Sequence, residues 1–298
     1  MLNYTQRCNC NLSDAYTLMY GFIGKKLIEE LGMEGEAALR EGSRQYGYDR
    51  GETARNKHIA VGAKANMQSL FSLFHDLPAD PRFRRELQQL IPTERVSHTL
   101  VCPMANIWAE YGQKKIGRIY CEEFHPACYC HYAYDYARLN LSKTLTQDGD
   151  NYCDFNVVLR PESLPDELKP ICFEEYDPDY VKPEIVSPPV DGKVGFATLS
   201  IKLFYYLFRQ AKQDLGDAGV KAVRDGLAQW ADEMAKLLTK RAAEANDRVD
   251  GKYVSDNIPF EMNTGTADSE LWKSYSDCGA SEEVEEYFCK PLAAKLGI

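Results

Sequence analysis

Leu31-Gly32-Met33-Glu34-Gly35-Glu36-Ala37-Ala38-Leu39-Arg40-Glu41-Gly42 returns 184 positions later as Leu215-Gly216-Asp217-Ala218-Gly219-Val220-Lys221-Ala222-Val223-Arg224-Asp225-Gly226. Over residues 31–45, seven of fifteen positions are identical without a gap. The residues leading into each copy share a pattern as well. Met19, Ile23, Leu27 and Leu31 recur every four positions, as do Leu203, Leu207, Ala211 and Leu215, which places each set on one face of a helix. A glycine follows the last leucine of each set, where a left-handed helix end is least costly. The pattern predicts an internal duplication of two helical segments. A weaker echo links Trp108 and Tyr111, followed by Cys121, to Trp272 and Tyr275 at an offset of 164, followed by Cys289, so the second copy is shorter.

Between the copies the pattern changes. Ile116–Phe124, Tyr134–Leu145 and Asn151–Leu159 carry alternating or β-rich runs, and Asp148-Gly149 suits a tight turn between the last two. They predict a three-stranded antiparallel meander. Residues 161–193 hold seven of the fourteen prolines and read as an extended surface connector. The expected fold class is α+β, with duplicated helical segments around a small antiparallel sheet. Its expected parts are a domain over 1–160, a connector over 161–194 and a truncated helical repeat over 195–298.

Composition narrows the function. The 298 residues, 44% hydrophobic and 27% charged, are an ordinary globular mixture. Asp and Glu total 45 against 35 Lys and Arg, a net charge of −10. Such a chain is a poor counterion for nucleic acid or an anionic membrane, so neither is an expected partner. The longest strongly apolar stretch, Leu203–Phe208, is far below the roughly 20 residues that span a bilayer. A cytoplasmic protein acting on a small molecule is expected, with homo-oligomer formation left open. Ten cysteines in a chain long enough to build a core read as packing thiols, ligands or a nucleophile rather than as a disulfide scaffold.

Two stretches concentrate reactive side chains. Tyr120-Cys121-Glu122-Glu123-Phe124-His125-Pro126-Ala127-Cys128-Tyr129-Cys130-His131 contains three cysteines and two of the five histidines. Thiols beside imidazoles suit a soft metal site or a nucleophile with its base, and the bland alternative is a thiol-rich strand packing inward. Thr144 to Phe155 brings Asp148-Gly149-Asp150 into Cys153-Asp154-Phe155, where the bland reading is a hairpin turn and a solvated aspartate. Cys153 and Phe155 would share the inward face, with Asp154 outward. Cys8 and Cys10 fall near an expected loose end, and His58, His75 and His98 read as surface histidines.

Taken together, Cys102-Pro103, Trp108 to Gly112, Ile116-Gly117 through Cys121 with its following acids, Leu141 to Leu145, Gly149-Asp150 and Cys153-Asp154-Phe155 resemble the L-2-amino-thiazoline-4-carboxylic acid hydrolase family. The resemblance covers roughly residues 15–160. The Cys128-Tyr129-Cys130-His131 insert departs from the family pattern, and the second copy lacks the Gly-Asp-x-x-Cys run. The resemblance implies hydrolysis of a carbon–nitrogen bond in a small cyclic amidine. Cys121, Glu123, Asp150 and Cys153 are then the expected catalytic set, converging on one pocket. Arg118, Arg138 and Lys143 are candidates to hold a substrate carboxylate. No cofactor is required, although zinc or another divalent metal could activate water at His125 and His131 together with the thiols. The sequence leaves nucleophile and metal open. A different class also fits: a non-enzymatic Cys/His-rich sensor of a small molecule or metal, which would bind its ligand unchanged.

Overall fold

The computed structural model describes residues 2–73, 76–261 and 269–298. Helix α1 spans Tyr4–Ala60 and opens on Asn3, whose side chain accepts from the Gln6 amide while Gln6 returns a bond to the Asn3 amide. The short helix α2 (Met67–Ser72) leads to a hairpin of β1 (Arg84–Ile91) and β2 (Glu94–Val101), followed by α3 (Pro103–Glu110) and α4 (Lys114–Tyr132). Strands β3 (Arg138–Leu141) and β4 (Cys153–Val158) complete an antiparallel sheet in the order β1-β2-β4-β3. After α5 (Lys169–Cys172) comes the second long helix, α6 (Gly192–Ala245), and then α7 (Gly251–Asn257), α8 (Ser269–Tyr275), α9 (Ala280–Val284) and α10 (Lys290–Leu296). The class is α+β, as the sequence predicts.

The two long helices are bent at the same place. Gly32 has φ 59° and ψ −131°, and Gly216 has φ 56° and ψ −138°. This is a conformation that side chains other than glycine enter only with strain. Each bend divides its helix into two arms, and the arms cross reciprocally. A Cβ on Gly42 would lie 3.1 Å from the Tyr206 carbonyl oxygen and 3.2 Å from the Leu207 Cα. A Cβ on Gly226 would lie 3.0 Å from the Phe22 carbonyl oxygen and 2.8 Å from the Ile23 Cα. Glycine to glycine and target to target, the separation is again 184 positions. One core runs through both halves, from Leu12 and Tyr46 to Trp230 and Phe288. Trp230 lies flat on Phe288 with ring centroids 3.5 Å apart.

Several expectations are corrected. Residues 116–124 are not a strand but the front of α4. Ile116, Ile119, Tyr120, Phe124, Ala127 and Cys128 are buried at spacings of three and four, and that helical period overrides the β-rich composition. The β1–β2 hairpin was not anticipated because β1 is exposed along nearly its whole length and shows no apolar alternation. The expected strand over Tyr134–Leu145 shrinks to four residues, and Asp148-Gly149 forms its turn, with Gly149 at φ 91°, inside a longer loop over residues 142–152. The connector is extended and largely exposed only beyond residue 177. Before that, Leu164, Cys172 and Phe173 fill a second core with Val157 and Leu159. Cys8 and Cys10 are buried in α1 rather than at a loose end.

Overpacking a tight crossing typically costs about 1–3 kcal/mol, so alanine at Gly226 should lower stability measurably. Alanine at Gly42, where the nearest backbone is 0.3 Å further away (3.1 against 2.8 Å), should cost less. Urea-denaturation midpoints of the two variants check this ordering, and two neutral substitutions would contradict the crossing.

Candidate active site

The sheet presents one face to the helices, and the register shows which side chains share it. Cys153, Phe155 and Val157 of β4 are buried, while Asp154, Asn156 and Val158 alternate outward. Directly opposite them on β2 stand Thr99, Ser97 and Arg95, respectively. Residues paired across antiparallel strands point to the same side, so Arg95, Ser97 and Thr99 face inward as well. Arg85 of β1 pairs with Thr99 and joins that face. Helix α4 covers it with His125, whose ring sits 5.1 Å from Phe155 and 5.5 Å from Tyr129.

Three thiols gather at one end of this layer. Cys102 precedes α3, Cys121 lies on α4 and Cys153 begins β4, close enough for each to influence the others' ionisation. The loop over 142–152 closes on them: the Leu145 amide meets the Cys153 sulfur at 3.3 Å and the Thr146 hydroxyl meets that of Cys121 at 3.7 Å. Asp150 fixes the loop by accepting from the Thr144 amide at 2.9 Å. Burial drives the Cys121 thiol far above its ordinary value, and Cys102 and Cys153 add to the effect. Cys153 is pushed up to about 11, mainly by burial. Cys102 is also raised by burial, opposed by backbone N–H groups of a helix start (Ala105, Met104) and by the Arg85 guanidinium, which acts on Cys153 as well.

Cys121, Asp150 and Cys153 therefore come together around one loop. Glu123 does not join them. It is held by Arg40 (2.8 Å) and Arg44 (2.8 Å) of α1. Arg118 pairs with Glu122 at 2.7 Å, and Arg138 donates to the carbonyls of Asp135 and Ala137. Lys143 lies over the Tyr152 ring at 4.7 Å, and none of these cations lies on the inward sheet face. His131 turns to Asp135 (3.0 Å) and Tyr48, whereas His125 faces the sheet, so the two imidazoles do not converge. Among the described residues, no group of three or more His, Cys, Asp or Glu side chains is arranged to hold a metal. His58 is buried and shares a 2.7 Å hydrogen bond with the Tyr132 hydroxyl, and His98 is half-buried, 3.6 Å from Asp154. His75 lies outside the described residues.

Sequence reasoning missed Arg85, Arg95 and Ser97, and did not place Cys102 at the centre. The signal was the period-two spacing of Arg95, Ser97 and Thr99 after the Pro92-Thr93 turn. The larger of two described cavities, about 420 Å³, lies elsewhere, between the start of α1, the end of α6 and α7. Its charged groups satisfy one another: Arg7 with Asp247, and Arg241 and Arg82 with the fully buried Asp14. Beside Cys102 and Cys153, by contrast, lies Arg85, which has no carboxylate partner among the described residues.

Compared with known proteins, residues 13–157 match the model of the L-2-amino-thiazoline-4-carboxylic acid hydrolase family. The segment ends at the inward Val157 of β4, so it includes the hairpin, α4, the loop and all three thiols. No curated protein and no solved structure matches the chain.

His125 is held neutral down to about pH 3 by burial and by Arg50, Arg85 and Arg95. In the unfolded chain a histidine takes up its proton near pH 6.5. Between those values the unfolded state binds more protons, so His125 makes stability fall as pH drops from about 6.5 towards 3. Replacing His125 with Phe should flatten that part of the stability–pH curve, as measured by urea unfolding from pH 7 to pH 4. An unchanged slope would mean that the imidazole is free to protonate in the folded protein.

Proposed function

We propose that this protein hydrolyses a carbon–nitrogen bond of a small cyclic amidine of the 2-amino-thiazoline-4-carboxylate type, with Cys102 as nucleophile. The observation that carries the reading is the closing of one loop on Cys121 and Cys153, through the Thr146 hydroxyl and the Leu145 amide, with Cys102 at the start of α3 near enough to raise both thiols. The hydrolase family match over the same residues supports it.

Cys102 suits the nucleophilic role better than Cys121 or Cys153. It is half-buried where Cys121 and Cys153 are buried, and the start of α3 stabilises its thiolate. A cyclic amidine is cationic at neutral pH, so its arrival lowers the cost of ionising a nearby thiol. Attack forms a carbon–sulfur bond at the amidine carbon. Collapse of the adduct breaks a carbon–nitrogen bond, and the leaving nitrogen takes the proton the thiol gave up. Water then cleaves the carbon–sulfur bond and restores the thiol. Cys121 and Cys153, protonated and enclosed, shape the wall behind Cys102, while Asp150 keeps the loop over 142–152 closed.

Purified protein incubated with L-2-amino-thiazoline-4-carboxylate should release ammonia or open the ring to a free primary amine. Cys102→Ser should cut turnover by about 10²–10⁴, the range for losing a nucleophile or its proton transfer. Cys130→Ser, remote from the cluster, should leave turnover near the wild-type value. Binding without any product would favour the sensor reading, and equal losses at Cys102 and Cys130 would remove Cys102 from the mechanism.

A further inference from the structure

Three polar groups around Phe155 have no hydrogen-bond partner among the described residues. Ser97 is 1% exposed, and its hydroxyl makes no hydrogen bond. The buried Nδ1 of His125 makes none either. Arg95 is half-buried with its guanidinium stacked 4.1 Å over Phe71 and 6.0 Å from Phe155, and among the described residues it has no carboxylate or hydrogen-bond partner. Arg40, Arg44, Arg50, Arg82, Arg224 and Arg241 all meet carboxylates. In a chain with ten more acids than bases, an unpaired inward arginine is the exception.

Leaving such groups unsatisfied is unfavourable, most of all for the charge. Placing all three side by side needs a reason, and a ligand that supplies acceptors is one. Ser97 stands opposite Phe155 in the β2–β4 register, His125 packs edge-on against the same ring, and the Arg95 guanidinium lies 6.0 Å from its centre. The planar guanidinium offers two parallel N–H groups to a planar anion, and a serine hydroxyl and a neutral imidazole can each donate one more. Arg85 adds positive charge on the same sheet face, towards Cys102.

We propose that Arg95, Ser97 and His125, with Arg85 nearby, form a carboxylate-binding subsite for a small-molecule ligand. The proposal rests on the hydrolase reading only in taking that ligand to be the substrate. It reassigns carboxylate recognition from Arg118, Arg138 and Lys143 to the hairpin.

Calorimetric titration of the full chain with L-2-amino-thiazoline-4-carboxylate, 2-amino-2-thiazoline and inorganic phosphate tests it. The carboxylate compound should bind about 10–100-fold more tightly than the ring that lacks it, the worth of a charge-assisted bidentate contact. Arg95→Ala should erase that difference, Arg95→Lys should restore only part of it, and Ser97→Ala should weaken the carboxylate compound selectively. Circular dichroism and a ligand-free melting curve establish that each variant folds. Arg95→Met should melt no lower than wild type, because it removes an unpaired inward charge.

Equal affinity for the two rings in wild type, no binding of the carboxylate compound, or undiminished discrimination in Arg95→Ala would overturn the subsite. So would phosphate competing as strongly as the carboxylate compound. Discrimination without turnover would leave the subsite standing and reject the hydrolase reading. Turnover that ignores both the carboxylate and Arg95 would do the reverse.

Discussion

The closeness with which the two bent helices cross governs the molecule. Gly42 and Gly226 let each arm rest on the other's backbone, and the matching bends at Gly32 and Gly216 aim the arms so that both contacts form at once. The same strategy continues along α1. A Cβ at Gly47 would meet that of Ala127 at 2.6 Å, and one at Gly51 would meet the Cys128 carbonyl oxygen at 2.4 Å. Helix α4 therefore lies against the second arm of α1 with almost no side chain between them. That contact sets the depth and rotation of α4, and with them where Cys121 and His125 meet the sheet. The site inherits its geometry from backbone contacts that only glycine permits.

The helical frame was legible because its signals are local and repeated. Leucines at intervals of four, a glycine at the bend and a second copy 184 positions on all point to one solution. The sheet was half legible. β4 declared itself through Cys153, Phe155 and Val157, whereas β1 has polar side chains on both faces and no local signal to read. Helix α4 was misread because Ile, Tyr and Phe favour strands by composition while their spacing follows a helix; spacing won, since a buried face must be continuous.

The candidate site divides along the same line. Cys121 and Cys153 drew attention as unusual residues in a recognisable run, and their side chains do meet around one loop. Glu123 failed for a reason no local motif reveals: α1 brings two arginines to it from about eighty positions away. Arg118 was likewise claimed by a neighbour, Glu122, four residues along its own helix. Candidate charges in a sequence can be ranked only after their ion-pair partners are known, and those partners come mostly from tertiary contacts.

What marks the site among the described residues is that an arginine without an ion pair stands beside two unpartnered buried donors. Elsewhere buried charge is matched, as at Asp14 between Arg82 and Arg241 or at Arg50 with Asp76. At the inward sheet face the balance is broken in one direction only. Donors from arginine, serine and histidine lie around Phe155, the thiols towards one end of the sheet are raised by burial, and among the described residues no carboxylate pairs with Arg95. An unsatisfied buried polar group costs about 1–3 kcal/mol, so three side by side remove a sizeable part of a typical domain's net stability. A local excess of unpaired donors is relieved by a ligand that brings acceptors. An anionic group would satisfy the arginine together with the neutral serine and histidine donors, because one carboxylate accepts several hydrogen bonds at once.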